Sequence, residues 1–259
     1  MPDKKQLPKI LEVCVDSTAS ALAAKRGGAD RLELCADLII GGTTPSLALL
    51  RQVKAETGLP VRALLRPRFG DFLYDPWELA QMEELAFELV YSSADGIVTG
   101  VLTPEGALDL PAMERICTAA RKAAGPAGVD LALHRAFDVC RDPREALEAA
   151  CALGMKTILT SGQAPDVMLG MATLSDLVRL ADGRIEILAG SGVIPAAIPL
   201  LAQMAGVRSF HLSGKERRGS RMTFRRENVP MGLPGFDEYE LWQTSEEVIR
   251  SARQALDRI

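Results

Sequence analysis

The sequence predicts a single (β/α)8 TIM barrel, an α/β fold in which eight parallel strands alternate with eight helices. Short β-prone runs alternate with helical patterns along all 259 residues, and most connections have the length that parallel crossovers use. The segments GGADRLEL, SADGIVTG, LGMKTILT and AGVRSFHL lead into the second, fourth, sixth and eighth strands and form a weak internal repeat. The first strand is not followed by GxGxxG. We therefore expect neither a dinucleotide site nor a nucleotide cofactor.

Local signals place the elements in order. Ser17 is suited to cap the first helix, Gly28 to end it, and Pro76 to open the third helix. The predicted strands are residues 9–15, 31–35, 61–65, 96–100, 130–136, 157–160, 184–188 and 209–212. The predicted helices are residues 17–26, 45–57, 76–89, 109–123, 143–153, 167–181, 196–205 and 244–257. A long irregular segment separates the eighth strand from the final helix, and one domain spans residues 1–259.

Composition limits the classes of protein to which the chain can belong. Hydrophobic residues make up 47% of the sequence, no apolar run approaches a membrane span, and the charged start MPDKKQ does not lead into a secretory segment. We therefore expect a soluble, intracellular protein with no membrane partner. Five scattered cysteines, an odd number, predict reduced thiols rather than a disulfide framework.

Nucleic acid is also not an expected partner. The net charge of −4 provides no overall attraction to it. The basic segment KERRGSRMTFRR, at residues 215–226, is a candidate contact, but Phe224 is its single stacking side chain and acidic residues follow at 237–240. We interpret it as a rim loop whose charges are paired internally or across subunits.

Polar residues alternate with aliphatic ones on the first two strands. A buried parallel strand is normally aliphatic throughout, so this alternation indicates that one face of each strand is functional. In (β/α)8 barrels the chemistry lies where the strands end, at the carboxyl face. The candidates at strand ends are Glu12, Cys14, Asp16, Glu33, Cys35, Arg66, Arg68, Thr99, His134, Arg135, Asp138, Thr160, Ser161, Gly190, Ser191, Gly192, His211 and Ser213.

Two kinds of chemistry fit these candidates. An enzyme acting on a small anionic substrate is indicated by acid–base groups and an anion clamp at one mouth. The candidate catalytic residues are Glu12, Glu33, Arg66, His134, Asp138 and His211, and the candidate anion-binding residues are Arg68, Gly190, Ser191, Gly192 and Ser213. The two arginines either bridge Glu12 and Glu33 or hold an anion, and the glycine loops are either phosphate sites or simply tight turns.

Metal binding is the other kind of chemistry. Cys14 and Cys35 lie near the carboxyl ends of consecutive strands, where two sulfurs can meet. Two thiolates without a histidine partner suit Cu(I) better than Zn(II). Cys117 and Cys151, on predicted helices, are explained by packing alone.

Long ordered motifs make the chain similar to the CutC family, which is named for copper homeostasis. These motifs are LEVCVDS, GGADRLELCADLIIGGTTPS, RPRFGDFLY, ADGIVTGVLTPEGALD, HRAFD, LTSG, AGSGV, FHLSG and MTFRRENVPMG. The resemblance implies one TIM-barrel domain of CutC type, a cytoplasmic homo-oligomer (dimer or tetramer), and Cu(I) on Cys14 and Cys35. Two departures are small: Gln163 follows LTSG, where relatives can carry cysteine, and Ser191 stands at a position that is often glycine.

Overall fold

Eight parallel strands form a closed barrel in the computed structural model, which describes residues 8–226, 228–229, 231–232 and 235–259. Each strand pairs with the next along the chain, and β1 also pairs with β8. The predicted fold is thus confirmed. The strands are β1 Ile10–Val15, β2 Arg31–Leu34, β3 Val61–Leu64, β4 Gly96–Thr99, β5 Asp130–Leu133, β6 Thr157–Thr160, β7 Glu186–Gly190 and β8 Ser209–Leu212.

Helices cover the outside of the barrel. Ser17 accepts a hydrogen bond from the Ser20 amide and caps α1, which ends at Gly28 in a left-handed conformation with φ 94°. Asp75 and Glu78 form a capping box at the start of α3. The helices are α1 Thr18–Gly27, α2 Leu47–Thr57, α3 Pro76–Tyr91, α4 Leu110–Ala124, α5 Pro143–Ala152, α6 Met171–Ala181, α7 Ile198–Ala205 and α8 Glu246–Asp257. None of the helices in the described ranges has the length and apolar character needed to cross a membrane.

Strand β7 begins and ends two residues later than predicted, and two other predicted boundaries were wrong by three or more residues. Strand β5 ends at Leu133, because the His134 ring accepts the Ala136 amide and opens a 3₁₀ turn over Arg135–Val139. Helix α6 begins at Met171 rather than near residue 167, because the Asp166 carboxylate accepts two backbone amides and holds a separate turn before the helix.

The sequence predicts a long irregular segment after β8, but part of that segment forms an antiparallel hairpin. Strands β9 Lys215–Gly219 and β10 Glu240–Thr244 pair antiparallel. Trp242 lies opposite Arg217 and carries two cations on its ring, the Arg217 guanidinium 5.0 Å and the Lys215 ammonium 5.4 Å from the ring centroid. Arg217 also pairs with Glu240 at 3.2 Å. The charged start MPDKKQ and two positions of MTFRRENVPMG, Glu227 and Pro230, lie outside the described residues.

Because side chains alternate along each strand, one set packs beneath the helices and the other faces the inside of the barrel. Leu11, Val13, Leu32 and their counterparts on the other strands face outward and pack under the helices in the main core. A small group of Cys35, Leu64, Val98 and Ala132, with Leu38 against it, forms a separate apolar cluster. The alternate positions on β1 and β2 are polar, as the sequence pattern indicates, and they form the layers described next.

Candidate functional site at the carboxyl end of the barrel

An ion-pair network, here called the lower layer, lies toward the amino-terminal end of the barrel strands, with Glu12 and Arg62 fully buried at its centre. It consists of Glu12, Arg31, Arg62, Asp130 and Glu186. The Arg62 guanidinium donates to Asp130 at 2.7 and 2.9 Å and to Glu12 at 3.1 Å. Arg31 donates to the same Glu12 oxygen and lies 3.3 Å from Glu186. Gly96 makes room for this network, because a Cβ there would lie 3.1 Å from Cγ of Arg62.

The network corrects the expected role of the arginines. Arg66 and Arg68 were predicted either to bridge Glu12 and Glu33 or to hold an anion, but Arg31 and Arg62 are the residues that hold Glu12. Sequence reasoning missed Arg62 as an interior residue. Its polar position between aliphatic neighbours in the β3 run VRAL was the available signal.

Above this layer a cavity of about 430 Å³ opens at the carboxyl end of the barrel. Both histidines and both predicted thiol ligands line it. We call the ionisable side chains of its wall the mouth layer, which consists of Cys14, Glu33, Cys35, Arg66, His134 and His211. The β7 and β8 loops complete the rim with Ser191, Gly192, Ser213 and Lys215.

His211 joins the two layers. Its Nδ1 lies 2.8 Å from the second Glu12 oxygen. Burial alone would lower the pKa of His211, but its neighbours Cys14, Glu33 and Glu12 raise that pKa well above its ordinary value. Burial alone would likewise raise the pKa of Glu12, but Arg31, the His211 hydrogen bond and Arg62 hold that pKa well below its usual range. Glu12 is therefore an anion, and both of its oxygens already have partners.

Glu33 is the carboxyl group of the mouth layer and differs from Glu12. Burial raises its pKa to about 7, with the negative Glu12 adding to the effect and His211 opposing it. Its Oε2 atom is buried and has no hydrogen-bond partner in the described part of the chain. Glu33 therefore changes between acid and carboxylate near neutral pH.

Loop carbonyls hold Arg66 in place. Its terminal nitrogens donate to the carbonyls of Gly41 at 3.3 Å, Gly42 at 3.2 Å and Gly70 at 2.9 Å, and its guanidinium lies 5.1 Å from the Phe72 ring centroid. No carboxylate pairs with it in the described ranges. Its buried Nε makes no hydrogen bond of good geometry among the residues that the structure describes, although the buried Tyr74 hydroxyl lies near the guanidinium.

His134 is a neutral imidazole. Its Nδ1 accepts the Ala136 amide at 3.2 Å, so the proton of the neutral ring lies on Nε2. Burial, reinforced by the positive charge of Arg66, lowers the pKa of His134 to about 3. Gly100 permits this placement, because a Cβ there would lie 2.8 Å from the ring. The buried Nε2 atom also lacks a partner in the described residues.

Several predicted site residues lie away from the cavity lining. Arg68 is on the outer rim and pairs with Glu78 at 2.6 Å and Asp71 at 3.0 Å. Asp138 accepts the amides of Ser161 and Gln163 and pairs with Arg135 at 2.7 Å, so it organises the loop after β6. Gly190 lies behind the wall, where a Cβ would come 2.4 Å from Leu159 and also approach His211.

No disulfide joins any of the cysteines. All five are free, which agrees with the absence of a predicted disulfide framework. Cys14 and Cys35 both line the cavity, and Cys14 is a close neighbour of His211. Burial, together with the neighbouring Cys14 and Glu33, raises the pKa of the Cys35 thiol well above its ordinary value.

One cluster has the composition of a divalent-metal site but fits such an ion poorly. Glu12, Glu33 and His211 each offer a ligand atom, and these atoms lie within 4.8 Å of one another. The Glu12 oxygens, however, already contact two guanidinium groups and the His211 ring. A divalent cation there would have to compete with these positive charges.

Comparison with known proteins identifies the family. The CutC family model matches residues 9–216. A CutC family protein of Chromobacterium violaceum is 40% identical over 97% of this chain and all of that protein, and one of Bacteroides thetaiotaomicron is 43% identical over 95% of this chain and 97% of that protein. A crystal structure from Streptococcus agalactiae, described as a candidate copper homeostasis protein CutC, superposes with a TM-score of 0.74 at 31% identity, over 79% of this chain and 98% of that one.

More distant structures share the fold alone. Phosphoribosylanthranilate isomerase from Pyrococcus furiosus superposes with a TM-score of 0.58 at 11% identity, over 97% of this chain and all of the isomerase. Because the family model covers most of the chain and the relatives match it nearly end to end, the chain belongs to the CutC family.

Proposed function

We propose that this protein binds Cu(I) in the cytoplasm through Cys14 and Cys35. The observation that carries the proposal is that both thiols line one cavity, together with the His211 imidazole. Thiolate sulfur is the ligand type that Cu(I) prefers. The description of the Streptococcus agalactiae relative as a candidate copper homeostasis protein supports the same ion.

Binding has to displace protons from the thiols. The pKa of Cys35 is raised by burial, so the metal must supply the free energy that deprotonates it. The Cu(I) affinity should therefore fall as the pH is lowered.

Competition with the Cu(I) chelator bicinchoninate tests this proposal on reduced protein under anaerobic conditions. The double variant Cys14→Ser with Cys35→Ser should lose the high-affinity site. Cys151→Ser is the matched control, because Cys151 lies on α5 and does not line the cavity. Urea unfolding checks that the double variant folds, since an unpaired buried hydroxyl costs about 1–3 kcal/mol. Unchanged affinity in a folded double variant contradicts the proposal.

We also propose that the protein is a homo-oligomer, a dimer or a tetramer. The β9–β10 segment supports this, because it carries large apolar side chains that are exposed in the single chain, among them Met222, Phe224, Met231 and Leu241. Light scattering after size-exclusion chromatography measures the mass directly. A monomeric mass at micromolar concentration contradicts this proposal.

A second candidate function is an enzyme that acts on a small anionic substrate at the same mouth. It is favoured by the two buried nitrogens, Nε of Arg66 and Nε2 of His134, that lack partners in the described residues. A buried donor without a partner costs free energy, and an anion would offset that cost if the cavity wall adjusted to let it reach these nitrogens. The β7 and β8 loops at the rim lie where TIM barrels commonly bind phosphate.

A thermal-shift screen of phosphorylated sugars and carboxylates tests the second candidate. A ligand at 100 times its dissociation constant should stabilise the fold by about 2.7 kcal/mol. Arg66→Ala should lose the shift, whereas Arg68→Ala, which removes a rim arginine paired with Glu78 and Asp71, should keep it. If no compound stabilises the wild type, or if Arg66→Ala responds equally, this candidate fails.

A further inference from the structure

The β9–β10 segment carries arginines of two kinds. Arg217 is paired within the hairpin, because its guanidinium lies 3.2 Å from Glu240 and 5.0 Å from the centroid of the Trp242 ring. Arg218 and Arg221 are exposed, and neither forms an ion pair with a described residue. Internal pairing, one of the two expectations for this basic segment, therefore leaves two arginines without a carboxylate in the described part of the chain.

The two unpaired arginines belong to one side of the hairpin. Arg218 lies opposite Leu241 in the strand register, so it points away from the neighbouring pair of Arg217 and Trp242. We call this side the outer face, a groove of about 520 Å³ bordered by Arg218, Arg221, Met222, Leu241 and Gln243. Met222 is 59% exposed and Leu241 is 55% exposed. Because a two-stranded hairpin is only marginally stable in water, an uncovered apolar and basic face indicates that a partner packs on it.

Helix α3 carries a surface of the opposite kind. Side chains that recur at intervals of three, four or seven residues lie on one line along a helix. We call this line the α3 stripe, which consists of Trp77, Glu84, Glu88 and Tyr91. Trp77 is 78% exposed and Tyr91 is 75% exposed, and the Tyr91 ring stacks on Phe87 with the ring centroids 5.8 Å apart. The stripe is thus aromatic at both ends and acidic between them.

The acidic residues of the stripe are also unpaired. Glu84 and Glu88 form no ion pair with a described residue, whereas the adjacent Glu83 lies 2.5 Å from Arg115. Like charges four residues apart on a helix repel each other, so a cation placed against these two carboxylates is favourable.

The outer face and the α3 stripe match in charge, in side-chain type and in length. Two unpaired arginines correspond to two unpaired glutamates, and guanidinium groups also stack well on tryptophan and tyrosine rings. A strand of five residues spans about 17 Å, and the stripe spans about 21 Å. Both surfaces are exposed in the same chain, so neither covers the other within it. Since one sequence carries both surfaces, a second copy of the chain is the partner that offers the complement of each.

We propose that the outer face of one copy docks on the α3 stripe of a second copy, with Arg218 and Arg221 pairing with Glu84 and Glu88. Each copy then gives one hairpin and receives another. The contact occurs twice in a two-fold dimer and four times in a cyclic tetramer. This inference rests on the proposed homo-oligomer and names the surfaces that build it.

Charge reversal tests the contact by sedimentation velocity. The hairpin variant is Arg218→Glu with Arg221→Glu, and the stripe variant is Glu84→Arg with Glu88→Arg. Each places like charges across the contact, so its dissociation constant should rise at least about 100-fold. A one-to-one mixture of the two variants should assemble again, because every hairpin then meets a stripe of opposite charge.

A matched control has the same change in net charge as the stripe variant. It is Glu148→Arg with Asp176→Arg, which reverses exposed acidic residues on α5 and α6 and should keep the wild-type mass. Thermal melting confirms that all of the variants fold.

The outcomes separate this contact from the homo-oligomer itself. A monomeric wild type overturns both. An oligomer whose mass survives either reversal overturns the contact and leaves the homo-oligomer standing. Dissociation of both variants without assembly of their mixture overturns it as well, because the two surfaces then do not bind each other. Dissociation of the control also contradicts it, since net charge rather than these surfaces would decide assembly.

Discussion

The two polar layers of the barrel differ in how many of their buried polar atoms have a hydrogen-bond or ion-pair partner. In the lower layer each guanidinium contacts at least two carboxylates, and among the described residues a single buried oxygen of the layer, Oδ1 of Asp130, lacks a partner. In the mouth layer Glu33, Arg66 and His134 each keep one buried polar atom unpaired in the same part of the chain. Charges that the protein satisfies hold the fold together, whereas buried polar atoms left without a partner cost free energy and mark the mouth layer as the less completely satisfied of the two.

The largest effect should come from breaking the lower layer. Arg62→Met removes the cation that links Glu12 and Asp130, and it leaves both carboxylates without that partner. Breaking a buried ion pair by removing one member costs about 3–5 kcal/mol. Urea unfolding should show this loss in the free energy of unfolding. A cost below 1 kcal/mol would mean that the two layers do not differ in their structural role.

The next largest effect should be a pH dependence caused by Glu33. Its pKa is about 7 in the folded protein against an ordinary 4.5, so folding favours the protonated form. The contribution of Glu33 to the free energy of unfolding is therefore greatest below pH 4.5, and it falls by roughly 3 kcal/mol as the pH rises through 7. Glu33→Gln cannot ionise and should lack this loss. Urea unfolding at pH 5 and pH 7.5 measures it, and an equal loss in the variant contradicts the assignment.

His134 should give stability the opposite pH dependence, so that the fold becomes less stable as the pH falls. Its pKa is about 3 in the folded protein against an ordinary 6.5, so its contribution is complete above pH 6.5 and is lost as the pH falls toward 3. Between pH 6.5 and pH 5 this amounts to roughly 2 kcal/mol. His134→Gln does not titrate and should remove the acid-side loss. The same slope in this variant and the wild type would show that another group causes it.

The smallest effect is expected for an ion pair outside both layers. Arg141 and Glu145 form an exposed i,i+4 pair at 2.9 Å. Because water screens such pairs, Arg141→Ala should cost about 0.3–0.5 kcal/mol. This variant is the surface control for Arg62→Met in the same unfolding experiment. A cost similar to that of Arg62→Met would remove the contrast between buried and exposed pairs.

Most of the fold could be predicted because its signals are local. Ser17, Gly28 and Pro76 act at helix ends through their own backbone or side chain, and the structure places α1 and α3 as these residues indicate. The β9–β10 hairpin could not be predicted in the same way. Its first strand, KERRG, is exposed and has no apolar alternation, and it is stabilised by Trp242 from a distant part of the chain.

The sequence could predict which residues line the cavity, but not which side chains pair with one another. Alternation on β1 and β2 and the positions of strand ends indicated Cys14, Glu33, Cys35, His134 and His211, all of which line the cavity. The same reasoning also selected Arg68 and Asp138, because closeness to a strand end does not show which way a side chain points. Nor could the same reasoning predict that Glu12 forms an ion pair with Arg62, because this contact crosses the barrel interior between strands that are not neighbours.

By itself, the sequence determined the barrel, its strand order and the polar face of its first strands, because periodicity and capping depend on residues close together in the chain. Only the tertiary structure decided which charges are neutralised and which remain free. Glu12 and Glu33 are both carboxyl groups at alternating strand positions, yet one is held as an anion by two arginines and the other has a pKa near 7. The cause is the set of neighbours that distant strands bring to each group, since desolvation and nearby charge set the pKa of a buried acid.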